Sequence, residues 1–428
     1  MLTDVQFILE ITTFRTVFFF QAELANGHTN LLAQFSFYIS GFLDHVKALT
    51  LPQVRQIMDI LSILAYDSPK VGQVLREDLQ MVIRKQITST GKTSSLKHIG
   101  VIAAVTTVKN MCKKSAVDSF ASAEKERNML YSQSSSNNNS TLVKQALDML
   151  EMVKTATKSV GSAAGLFMDE LASVFDAKSD QGDLHDDLID WISEKMAKDF
   201  EEEYVEDVAE GDEDRVVNTA LVPLKLAYGI EYDNHLEANA IALNLGHMVA
   251  SNKGSSAAKA ARLIPHFRLL SKCIAKQQDG KMDDLDAVLG CPIWMIPDET
   301  YEKLDSISNQ ELNAMCDANF YCLNWFRELI NTFSNDDKQD FEDKRKVILR
   351  VKNILKVEDN LKKVLAKNIG YTPPTMLHLE DSNGWQPPTL PSGESKSKGG
   401  KKKGKKRKAV QDITNNTTIQ SETTVSTH

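Results

Sequence analysis

Apolar residues recur at three- and four-residue spacing in segment after segment of this 428-residue chain, and this periodicity limits its fold more than any other feature. The pattern predicts helices over 29–47, 52–65, 71–89, 96–111, 142–157, 163–174, 184–203, 235–249, 257–275, 309–332 and 338–366. The stretch "LPQVRQIMDILSILAY", 51–66, is representative: Val54, Ile57, Met58, Leu61 and Leu64 fall on one stripe, and Pro52 sits in the first turn, where its missing N–H costs nothing. No series of alternating residues competes as strands. With 42% hydrophobic residues the chain can bury a large interior, and a single bundle could not hold so many helices around one core. The expected fold is therefore all-α, an irregular helical-repeat (HEAT-like) α-solenoid over residues 1–371.

Three segments depart from this pattern. "SQSSSNNNS", 132–140, reads as a polar linker, and 204–215 reads as an acidic loop. From "TPPTMLHLEDSNGWQPPTLPSG" onward, prolines and then lysines dominate, so 372–428 is expected to be a disordered basic tail.

The formal charge of −8 is unevenly spread: residues 396–408 carry nine Lys/Arg, and the remainder holds 41 basic against 58 acidic residues, a net −17. The run "DFEEEYVEDVAEGDED", 199–214, either solvates a helix end and loop or docks a basic partner. In the tail, Lys401, Lys402, Lys403, Lys405, Lys406, Arg407 and Lys408 suit a nuclear import signal or attraction to DNA phosphates.

No catalytic pattern emerges. "TGKTS", 90–94, resembles the end of a phosphate-binding loop, but Gln86 stands where that motif needs glycine, and a helix precedes it. The nine histidines do not cluster with carboxylates, the five cysteines are scattered without a CxxC pair, and no HExxH, GxSxG or GxGxxG occurs. The expectation is a non-enzyme with no cofactor, no metal and no membrane span, placed inside the cell.

One charge stands out. In "SSLKHIGVIAAVTTVKNMCKK", 94–114, Lys97 falls in the first turn of a helix, in line with Val101, Ala104, Val105 and Val108. A cation there opposes its own helix dipole and borders an apolar face, both of which favour the neutral, nucleophilic amine. The alternative is a lysine that snorkels past the core edge.

The order of "VIRKQITST" (82–90), "LKHIGVIAAVT" (96–106), "AYGIEYD" (227–233), "PHFRLLSKCIAKQQDGKMDDLDAVLGCPIW" (265–294) and "LNWFRELINTF" (323–333) resembles the central region of the Fanconi anaemia group D2 family, over about 38–375. This resemblance implies that the chain is the middle section of a longer protein. It makes Lys97 the ubiquitin acceptor, with Lys92 in the preceding loop a weaker candidate. It further implies a heterodimer with the Fanconi anaemia group I paralogue, modification by a nuclear ubiquitin ligase complex, and closure of the pair around duplex DNA during interstrand crosslink and double-strand break repair. The competing expectation is a non-catalytic helical-repeat adaptor without a specific acceptor.

Overall fold

The computed structural model describes residues 29–374 apart from 68–71, 90–94, 132–138, 176–183, 210, 213, 231–240, 252–253, 279–281, 283–284 and 335–340. The chain divides after Gly384, and its second unit, Trp385–His428, lies outside the described residues. So do the basic tail cluster and most of the polar linker.

Helices α1 (Thr29–Ala33) and α2 (Ser36–Ser40) and a 3-10 turn over Gly41–Ala48 replace the single helix expected over 29–47. The long helices follow: α3 (Leu51–Tyr66), α4 (Gln73–Ile87), α5 (Ser95–Met111), α6 (Lys114–Tyr131), α7 (Asn139–Thr157), α8 (Gly161–Val174) and α9 (Asp186–Tyr204). Capping chemistry sets the start of α3: the Thr50 N–H donates to Gln53 Oε1 at 2.9 Å, and the expected stripe from Val54 to Leu64 is buried. Helix α5 is different in kind. It is buried from Ile99 to Val108 on every side, the mark of a central helix, and α3, α4, α7 and α8 pack around it.

After α9 the chain departs from the all-helical expectation. Strands β1 (Val205–Asp207), β2 (Val217–Asn218), β3 (Pro223–Ala227), β4 (Ile241–Leu243) and β5 (Ile293–Met295) form one small sheet in the order β1-β4-β5-β3-β2. The acidic loop expected at 204–215 thus begins as an edge strand, and of the helix expected over 235–249, residues 235–240 lie outside the described residues, 241–243 are strand and α10 (Leu245–Ala250) is helix. Strands of two to five residues are too short to show a two-residue period. The remaining helices are α11 (Gly254–Gln277), α12 (Asp286–Gly290), α13 (Asn309–Ser334) and α14 (Phe341–Lys367). The architecture remains a helical-repeat one to which the sheet is a minor addition.

Among the described residues two hydrophobic cores result, one around α5 and one around the sheet and α13. Helices α9 and α11 serve both: Ile192 and Met196 face the first and Phe200 and Tyr204 the second, while Leu269 and Cys273 face the first and Leu263 and Phe267 the second. Arg268 on α11 reinforces the junction by pairing with Asp169 of α8 and Glu328 of α13. Helix α14 is locked onto the second core by a buried guanidinium. Arg350 donates from Nε to Leu289 O (2.8 Å), from Nη1 to Tyr228 O (2.6 Å) and from Nη2 to Cys291 O (2.8 Å). Tyr228 is held at φ 66°, a left-handed conformation that a tyrosine adopts only when its surroundings impose it.

Candidate functional site

Lys97 is the third residue of α5, and its side chain is half-buried. Its Nζ donates to Ile87 O at 3.1 Å and to Ala156 O at 2.8 Å. Ile87 is the last residue of α4 and Ala156 the next to last of α7. The last four carbonyls of a helix lack intrahelical donors, and the negative end of the helix dipole lies there. One ammonium therefore joins two helix C-termini. Sequence reasoning considers only the positive end of α5, which opposes the cation, because nothing in a linear pattern brings residue 156 to residue 97.

The neighbours of Lys97 explain its position. One turn on, a Cβ at Gly100 would lie 2.8 Å from Ile87 Cγ1 and 3.0 Å from the Ile87 nitrogen, so glycine is what lets α5 approach the end of α4 this closely. Lys97 and Gly100, spaced i and i+3, thus hold the same residue of α4. His98 points elsewhere, with Nε2 3.2 Å from Ser162 Oγ, and burial lowers its pKa below the ordinary imidazole value. Between α4 and α7 runs a cleft of about 280 Å³ lined by Gln80, Ile83, Arg84, Gln145, Asp148, Met149 and Met152, one turn before the two carbonyls that hold Lys97.

Of the other residues singled out by sequence, Lys92 lies outside the described residues, as do Lys401, Lys402, Lys403, Lys405, Lys406, Arg407 and Lys408. The five cysteines are buried, and burial pushes the Cys112 and Cys273 thiols up to about 12. Among the described residues no group of three or more His, Cys, Asp or Glu side chains could hold a metal ion, and no helix is long and apolar enough to cross a membrane. Sequence reasoning missed Gly100, whose only signal is its i+3 spacing from Lys97. It also missed Arg350, which reads as one more cation in a basic helix.

A family model described as "Fanconi anaemia protein FancD2 nuclease" matches residues 16–427. The chain belongs to the FancD2 family. It is 32% identical over 394 residues to the Fanconi anemia group D2 protein of Gallus gallus, covering 89% of this chain and 26% of that protein. It is 30% identical over 386 residues to the Fanconi anemia group D2 protein homolog of Mus musculus, covering 87% and 25%. The corresponding homolog of Drosophila melanogaster is 23% identical over 348 residues, covering 76% and 22%. The FancD2-family chain thus spans about a quarter of the length of the curated relatives it matches.

Proposed function

We propose that this chain is a scaffold segment of the Fanconi anaemia DNA-repair pathway that accepts a single ubiquitin on Lys97. In this reading it acts with no catalytic centre of its own. It pairs with the group I paralogue, and the ubiquitin helps the pair close around duplex DNA on chromatin in the nucleus. Lys92 stands as a second, weaker acceptor, and the basic residues 401–408 as an import signal or an anchor for phosphates.

What supports the reading is membership of the FancD2 family over a match, residues 16–427, that includes Lys97, and the pair of hydrogen bonds from Lys97 to Ile87 O and Ala156 O would restrain that acceptor. Attack on an acyl carbon needs the nitrogen free to turn its lone pair toward that carbon, and here two carbonyls hold the nitrogen against the ends of α4 and α7. Hydrogen bonds from a charged donor are worth roughly 1.5–3 kcal/mol each, and half-exposure favours the low end. Breaking both, at roughly 3 kcal/mol, leaves the nitrogen detached from these carbonyls in roughly one molecule in a hundred until something rearranges the ends of α4 and α7. Docking of a partner against this region would supply that rearrangement, so acceptance of ubiquitin would follow pairing.

A plain helical-repeat adaptor is favoured by the same two bonds, since a lysine that joins two helix ends has a sufficient structural role. The deciding experiment is mass-spectrometric mapping after incubating the chain and its Lys97→Arg variant with the ligase complex and the paralogue. Modification concentrated at Lys97 and lost in the variant is expected. Modification scattered over many lysines, with the partner bound, would leave the adaptor.

A further inference from the structure

Lys97 occupies its two acceptors with one nitrogen, and acylation changes what that nitrogen can do. In transfer from a thioester donor, the amine lone pair attacks the carbonyl carbon. The ammonium first gives one proton to a solvent base; a C–N bond then forms, the C–S bond breaks with the electron pair leaving on sulfur, and the surplus proton on nitrogen passes to that thiolate or to solvent. The ammonium had three N–H donors and a positive charge. The resulting secondary amide has one N–H and no charge.

Two carbonyls then share one donor. Either Ile87 O or Ala156 O loses its partner, and both helix ends lose the cation that faced their dipoles. The surrounding packing makes this consequential. Helices α4 and α7 each pack on α5 and also touch each other, and the cleft lined by Ile83, Arg84, Met149 and Met152 opens between them just before their ends. Lys97 ties those ends together across the gap.

We infer that Lys97 is a staple between the C-termini of α4 and α7, and that acylation of Lys97 releases the last turn of at least one of these helices, so that the modified lysine reports its state through the local backbone. The staple and its release by an acyl group stand on geometry alone. That the acyl group is ubiquitin rests on the function proposed above.

The test is hydrogen–deuterium exchange on the full 428-residue chain, comparing unmodified protein with protein carrying genetically encoded Nε-acetylation of Lys97, and with the Lys97→Met and Lys97→Arg variants. Acetylation makes the same change at nitrogen without adding a protein. Amides in the last turn of α4 (84–88), of α7 (154–157), or of both are expected to exchange about tenfold faster in the acetylated and methionine forms. The arginine form, which keeps a cation with several donors, should change less than threefold. Unaltered exchange at both turns in the acetylated chain would overturn the inference. Faster exchange spread evenly over all the helices would overturn it too, because it reports loss of global stability. The mapping experiment above is independent of this one: Lys97 can be a staple without accepting ubiquitin, and an acceptor without being a staple.

Discussion

Gly100→Ala is the substitution whose sign the structure decides against the usual rule. Position 100 lies inside α5, where replacing glycine by alanine is worth about 1 kcal/mol in favour of the helix. The added Cβ, however, would stand 2.8 Å from Ile87 Cγ1, 2.9 Å from Ile87 Cδ1 and 3.0 Å from the Ile87 nitrogen, whereas ordinary contact begins at 3.4 Å. The side chain cannot turn away cheaply, because Ile87 is fully buried and a β-branched residue in a helix has one strongly preferred rotamer. The end of α4 must instead retreat by roughly half an ångström, an overpacking that costs about 1–3 kcal/mol. That retreat carries Ile87 O, already 3.1 Å from Lys97 Nζ, toward the limit of a hydrogen bond, a loss of about 1 kcal/mol more. The balance is a net destabilisation of about 1–3 kcal/mol. Urea unfolding at constant m measures it, and trace acylation read by mass spectrometry should show Lys97 more reactive in the variant. A variant stabilised by about 1 kcal/mol with Lys97 labelling unchanged would refute the close-approach argument.

Two further predictions concern the second core and the junction. Arg350→Met should destabilise the chain by about 3–5 kcal/mol, because it strands three carbonyls, two of them buried, and frees the strained Tyr228, even though it also removes a buried cation. Urea unfolding followed by the fluorescence of the buried Trp294 and Trp325 reads this, and a change under about 1 kcal/mol would show that the carbonyls find other donors. Dependence on pH should reveal two opposing groups. Burial lowers the His266 pKa from 6.5 to about 4, so between these values the unfolded chain binds a proton that the folded one does not, and stability rises with pH. Burial pushes the Asp169 carboxyl from 3.8 up to about 7 against the pull of Arg268, so across that window the folded chain holds the extra proton and stability falls as pH rises. From pH 4 to 6.5 these two contributions offset each other in the parent, whereas His266→Gln should lose stability steadily as pH rises. A variant whose profile parallels the parent's would show that His266 does not titrate as its burial implies.

Much of this protein is determined by residue order alone. The long helices from 51 to 111 and from 309 to 367 are legible because each carries three or more turns of periodic apolar residues, and Pro52 in a first turn marks where one of them starts. The oddity of Lys97 is legible as well, as a charge at the head of a helix's apolar face. Helix α6 escapes the periodic reading because it is mostly small and polar, with Ala116, Val117 and Ala121 buried, so composition hides its inner face. The sheet escapes because its strands are short and pair across up to 70 residues of sequence, as Val205 with Leu243 and Lys225 with Met295 do.

What tertiary structure alone decides is what each polar group meets. A linear reading gives Lys97 one helix dipole, its own, and that dipole opposes it. Folding brings two others, from Ile87 and Ala156, that favour it. Arg350 likewise belongs to a basic helix in sequence, and in the folded chain it is the donor to three carbonyls of segments 59 to 122 residues away. Apolar periodicity survives in one dimension because burying a face requires many residues of the same element. A hydrogen bond needs one donor and one acceptor, which can come from anywhere in the chain, so its partner becomes known only once the elements are packed.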